Sequence, residues 1–147
     1  MAKYLIVVTF EPGVETAPME EWAPEDVTAH LDYYRALNTR LTQSGELVDT
    51  TILTPPDAAH IVRADATGGW VVTDGPFQEF KEWAAGFQVV DVETEQRALE
   101  IAALVSAVPA PGGVPMQQPV HVRRIMDDGP SDAESMDEWL EGAGGGR

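Results

Sequence analysis

Val71-Val72-Thr73-Asp74-Gly75-Pro76-Phe77-Gln78-Glu79-Phe80-Lys81-Glu82-Trp83, followed by Gly86-Phe87, decides how this chain folds. An apolar strand runs into an Asp-Gly-Pro turn. Aspartate accepts from backbone N–H groups two residues on, glycine tolerates positive φ, and proline fixes the exit. Phe77, Phe80 and Trp83 then recur at i, i+3 and i+6, so they share one face of a short helical segment. The charges of Glu79, Lys81 and Glu82 lie around the rest of that segment. A second strand follows over 86–93, with Phe87, Val89 and Asp91 on one side and Gln88, Val90 and Val92 on the other.

Working outward from this turn, the N-terminal side holds a hairpin, 59–64 and 69–73, closed across Asp65-Ala66-Thr67-Gly68. Before it lies a strand over 47–54, ended by Pro55-Pro56. A long helix is predicted over 24–44. Pro24 suits the first helical position, Glu25 and Asp26 complement the helix dipole, and Gly45 is a left-handed stop. Val27, Leu31, Tyr34, Leu37 or Asn38, and Leu41 are its expected buried stripe. Residues 11–23 read as a loop, with Met19 and Trp22 packing over the sheet. The first strand, 3–10, is apolar on both faces, with Tyr4, Ile6 and Val8 against Leu5, Val7 and Thr9. Both faces should therefore be covered, one by helices and the other by a partner subunit.

On the C-terminal side, Thr94 caps a helix over 95–107 that turns Ala98, Ile101, Ala102 and Val105 inward. Pro109-Ala110-Pro111-Gly112-Gly113 is a loop, and 119–125 is the last strand, with Val120 and Val122 opposite His121 and Arg123. The order β-α-β-(hairpin)-β-α-β predicts an α+β fold, a ferredoxin-like split β-α-β sandwich with an inserted hairpin. Residues 1–126 form the domain. Residues 127–147 are expected to be a flexible acidic tail, in which Met136, Trp139 and Leu140 would share an edge if a short helix formed.

Composition narrows the partners. The chain carries 25 acids against 9 bases, a net charge of −16 over 147 residues. Phosphate backbones need a basic footprint, so nucleic acid is not expected as a partner. No apolar run reaches the roughly 18 residues of a membrane span. The opening Leu5-Ile6-Val7-Val8 run is too short for a signal peptide, so a cytoplasmic protein is expected. With no cysteine there is no disulfide and no thiolate chemistry. His30, His60 and His121 show no metal-binding spacing, and no phosphate or dinucleotide motif occurs, so no metal or cofactor is expected.

Asp74-Gly75-Pro76-Phe77-Gln78-Glu79-Phe80-Lys81-Glu82, with Gly86-Phe87 after it, resembles the signature of the YCII-related family, in its DGPF-domain branch. Pro24-Glu25-Asp26, Gly45, Val71-Val72-Thr73 and Val122-Arg123 fit the same branch. Gln78 and Phe80 depart from its usual alanine and threonine, so no hydroxyl role carries over to position 80. The resemblance covers about residues 1–126 and implies a homodimer of the dimeric α/β-barrel type. It names no reaction. Most members have no established activity, some are similar to small-molecule enzymes such as a dehydrochlorinase of chlorinated hydroxyquinols, and others sit in genomes beside extracytoplasmic-function sigma factors.

The candidate catalytic residues are His30, Asp74 and His121; the candidate ligand-binding residues are Tyr34, Phe77, Lys81, Phe87 and Arg123. Asp74 either holds the turn or aims a carboxylate into a cleft beside Phe77. Lys81 with Glu82 is either a surface charge pair or an anion contact. His30, at the border of the long helix's buried stripe, is either a half-buried structural ring or an acid–base group, the role suspected of a helix histidine in the wider family. His121 and Arg123 share one strand face and either neutralise nearby acids or line a pocket for an anionic or phenolic ligand. Three readings stay open. The leading one is a small-molecule-binding or regulatory homodimer without catalysis. Another is a cofactor-independent lyase- or isomerase-type enzyme on a small aromatic or polyketide-like substrate. The third is a scaffold that recruits a partner through the acidic tail.

Overall fold

The structure is a computed structural model that describes residues 1–74, 82–126 and 129–144. Its elements are β1 (Ala2–Thr9), α1 (Pro24–Gln43), β2 (Leu47–Ile52), β3 (His60–Ala64), β4 (Trp70–Asp74), β5 (Ala84–Val92), α2 (Glu95–Ser106), β6 (Val120–Arg124) and α3 (Ala133–Gly144). Four strands form an antiparallel sheet in the order β2-β5-β1-β6, and β3 and β4 form a separate two-stranded sheet. This is the expected α+β, ferredoxin-like arrangement with its inserted hairpin. Of Phe77 and Lys81, both expected at the site, nothing can be placed, since 75–81 lie outside the described residues.

Helices α1 and α2 lie on the same face of the four-stranded sheet. Leu37 and Leu41 from α1, and Ala98, Ile101, Ala102 and Val105 from α2, pack with Tyr4 and Ile6 of β1 and Val90 and Val92 of β5. Each large aliphatic side chain buried there contributes about 1.5–3 kcal/mol. Thr94 caps α2 as expected, its Oγ1 accepting from the Arg97 N–H at 3.1 Å. The end of α1 is a Schellman turn: Glu46 N–H donates to the Leu41 carbonyl and Gly45 N–H to that of Thr42. Gly45 holds φ +79°, the left-handed conformation the turn requires. Gly86 serves a different need, since a Cβ there would sit 2.9 Å from the Thr51 carbonyl oxygen on the neighbouring strand.

Three expectations are corrected. The stripe of α1 is rotated from the predicted one: Leu31 is 46% exposed, whereas His30 is 8% exposed and lies inside. The buried positions are thus His30, Leu37 and Leu41, flanked by half-buried Val27, Tyr33, Tyr34 and Asn38. Second, the proline-rich loop after α2 is not merely a connection. Val108, Ala110 and Met116 form a second buried cluster under Trp22, Tyr33 and Tyr34. Third, β2 stops at Ile52, two residues before the expected end. Within the C-terminal stretch α3 holds Met136, Trp139 and Leu140, with Asp132 and Ser135 bonding reciprocally at its start.

The hairpin turn is built by one carboxylate. Asp65 Oδ1 accepts from Thr67 N–H, Thr67 Oγ1 and Gly69 N–H, each at 2.9 Å. These bonds, those of Thr67 first, hold the Asp65 carboxyl below its ordinary range.

The rotated stripe can be tested by denaturation. Leu37→Ala is expected to cost about 2–5 kcal/mol of unfolding free energy, and Leu31→Ala less than about 0.5 kcal/mol. Equal losses at the two positions would reject this placement of the helix.

Candidate functional site

The residues singled out in the sequence come to lie in three places. The first is the helix side of the sheet. His30, one helical turn before Tyr34, stands between the rings of Trp22 and Tyr34, with centroids 5.4 Å away in both cases. Its Nδ1 lies 2.8 Å from the Pro109 carbonyl oxygen. A carbonyl only accepts, so Nδ1 carries a proton directed at Pro109. Trp22 is fixed by its indole N–H on the Ala17 carbonyl, and Tyr33 by its hydroxyl on that of Leu104. Burial, and then the nearby Tyr33, push the Tyr34 phenol up to about 12, so it stays protonated at neutral pH. These contacts tie α1 to α2 and to the loop after it. Deeper in, Gln88 donates to Asn38 Oδ1, while its own Oε1 is buried with no partner among the described residues.

The second place is the opposite face of the sheet. Strand register lines up two rows across all four strands. One row is Thr51, Phe87, Val7 and His121, and the next is Asp49, Val89, Leu5 and Arg123. The centre is apolar and the β6 margin is cationic. Phe87, Val7, Val89 and Leu5 are half-buried and belong to neither buried cluster, while His121 and Arg123 are exposed. Among the described residues Arg123, its neighbour Arg124 and Lys3 have no acidic partner.

The third place is the hairpin. Asp74 does not meet His30 or His121. Its Oδ1 pairs with His60 Nδ1 directly across the β3–β4 ladder, with both side chains largely exposed. His60, on the first strand of the predicted hairpin, is not among the candidate residues. The predicted four-residue loop 65–68 would set 60 opposite 73; the observed loop runs over 65–69, pairs Ala64 with Trp70 and so sets His60 opposite Asp74.

Outside these three places, a groove of about 440 Å³ lies between the end of α1 and the start of α2, lined by Glu46, Asp91, Glu93, Thr94 and Arg97 among others. Arg97 spans it, donating to both Glu46 oxygens at 2.8 and 3.0 Å and to Glu100 at 3.3 Å. The pair is structural in geometry: it clamps the Schellman turn to the first turn of α2. No group of three or more metal-ligating side chains is gathered among the described residues. No helix among them is long and apolar enough to cross a membrane.

Comparison with known proteins gives two matches. A family profile described as the YCII-related domain matches residues 2–120. An uncharacterized protein of Rhizobium meliloti (strain 1021) is 33% identical over 92 residues, which span 62% of this chain and 73% of that protein.

Two predictions follow from the side-chain geometry. His30→Phe keeps a ring against Trp22 and Tyr34 but strands the Pro109 carbonyl, and should cost about 1–3 kcal/mol; nitrogen NMR of the wild type should show the neutral ring protonated at Nδ1. An Nε2-protonated ring would contradict the bond to Pro109. The Glu46 carboxyl is held below its ordinary value of 4.5, first by the Arg97 hydrogen bond. Its folded pKa is therefore lower than its unfolded one. The stabilisation is present above pH 4.5 and is lost as pH falls through the folded value. Melting curves should show Glu46→Gln less stable than the wild type at neutral pH, with the gap narrowing on acidification; a constant gap would refute the linkage.

Proposed function

The chain belongs to the YCII-related family, and on that footing we propose that it works as a small-molecule-binding homodimer rather than through catalysis of its own. Within the family, Asp74-Gly75-Pro76-Phe77 followed by Glu79, Lys81, Glu82 and Gly86-Phe87 supports placement in the DGPF-domain branch. The observation that carries the dimer is the far face of the sheet. Leu5, Val7, Phe87 and Val89 form an apolar centre on the side away from α1 and α2. Covering such a face contributes about 25 cal/mol for each Å² of apolar surface removed from water. A second copy is the simplest cover, because an isologous contact lets the same face serve both chains.

The ligand class follows from the margin of that face. His121 and Arg123 project beside Val7 and Leu5, so a bound molecule would meet apolar side chains and cationic donors together. An anionic or phenolic small molecule fits this combination. The groups able to move a proton are spread over three separate places, which favours binding over turnover. In this reading His30 and Tyr34 keep α1 and its neighbouring loop in register, and the ligand is held on the other side of the sheet.

Native mass spectrometry of the purified protein tests the reading. The wild type is expected at twice the 15.9 kDa chain mass, with added mass from a retained small molecule. Val7→Asp, which places a charge in the apolar centre, should shift the protein to monomer while it remains folded by circular dichroism. A wild type that stays monomeric at tens of micromolar would reject the dimer.

A further inference from the structure

The β3–β4 hairpin stands apart from the four-stranded sheet. Its strands pair with each other and with no strand of the four-stranded sheet. An isolated two-stranded hairpin is marginal in water unless something packs on it. Alternation places His60, Val62, Ala64, Trp70, Val72 and Asp74 on one face, and every one of them is exposed. Trp70 is 70% exposed and Val62 58%. An apolar ladder of this kind, ending in the Asp74–His60 pair, lacks its cover.

The strand β6 shows the complementary deficiency. It is an edge of the sheet, and it carries His121 and Arg123 toward the far face with no acidic partner among the described residues. Among the described residues, an arginine with no acidic partner stands out in a chain of net charge −16. The hairpin follows β2, which is the opposite edge of the same sheet. Three strand spacings, roughly 14 Å, separate β2 from β6 within one chain. When two such sheets face each other about a two-fold axis along the strands, β2 of one copy lies over β6 of the other.

We propose that the β3–β4 hairpin of one copy lies against the β6 margin of a second copy, setting Asp74 of one chain beside Arg123 of the other. This rests on the homodimer reading above and adds what that reading leaves open: each ligand site is built from both chains. His121 and Arg123 come from one copy, and Asp74, with the His60 ring it orients, comes from the other. The symmetry makes two such sites per dimer. Asp74 accepts from the guanidinium, and the apolar hairpin face closes the open end of the site.

The chain has no cysteine, so introduced thiols are the only ones present. Val72→Cys and His121→Cys are made in separate chains, leaving Asp74 and Arg123 in place, and the two proteins are mixed and treated with a short bismaleimide. The expected product is a cross-linked heterodimer that neither variant forms alone. Loss of the cross-link in a mixture that is dimeric by native mass spectrometry overturns the hairpin placement and leaves the dimer standing. A cross-link formed by Val72→Cys alone also overturns it, since the hairpins would then meet each other. A monomeric wild type removes both this proposal and the reading it rests on. A second measurement does not depend on thiols. Asp74→Arg and Arg123→Asp should each weaken dimerisation about tenfold, and the double variant should regain most of that loss. Losses that simply add would overturn the contact.

Discussion

The two-sidedness of β1 is the constraint on which the rest of the molecule depends. Its alternate side chains are apolar in both directions, and it sits between β5 and β6 inside the sheet. One direction, Tyr4 and Ile6, is satisfied within the chain by α1 and α2. That requirement sets both helices on the same side of the sheet. The other direction, Leu5 and Val7, is left to a surface that ends in His121 and Arg123. A strand that is apolar on both sides, in a chain whose two sheet-packing helices share one side, leaves Leu5 and Val7 on a face that those helices do not cover.

Most of the fold was legible because it is written in periodicity and punctuation. Gly45, Thr94, Pro24 and the Asp65–Gly68 turn each do the local work their types predict, and the strand alternations of β1 and β5 hold through to the sheet. The corrections at α1 and at the loop after α2 share one cause. The stripe of α1 was read from hydrophobicity, which favours Leu31 over His30. A histidine whose Nδ1–H has a carbonyl to bond, and whose ring lies between two aromatics, is as buriable as a leucine. That carbonyl belongs to Pro109, 79 positions away, and no local pattern announces it. The cluster of Val108, Ala110 and Met116 is hidden for the same reason, since proline and glycine mark it as a loop while its burial comes from Trp22, Tyr33 and Tyr34.

The candidate site was legible as a set of residues and not as an arrangement. His30, Asp74 and His121 are chemically alike on paper, but a strand has two faces and a helix has one inward stripe. Register decides which residues can meet. It puts Val7 between Phe87 and His121, and it puts Asp74 opposite His60. Parity along β5 separates Gln88, facing Asn38 in the interior, from Phe87 and Val89 on the far side.

The Asp65 turn gives the hairpin a thermodynamic identity of its own. A single carboxylate oxygen organises the loop, and the two strands it joins belong to a sheet apart from the main one. The molecule is therefore two cooperative units of unequal free energy. The larger is locked by a nonlocal core, and the smaller is held by local bonds that can break and reform without disturbing it. Exposed backbone amides in the smaller unit would exchange with solvent through subglobal opening, long before the sheet that carries β1 lets go.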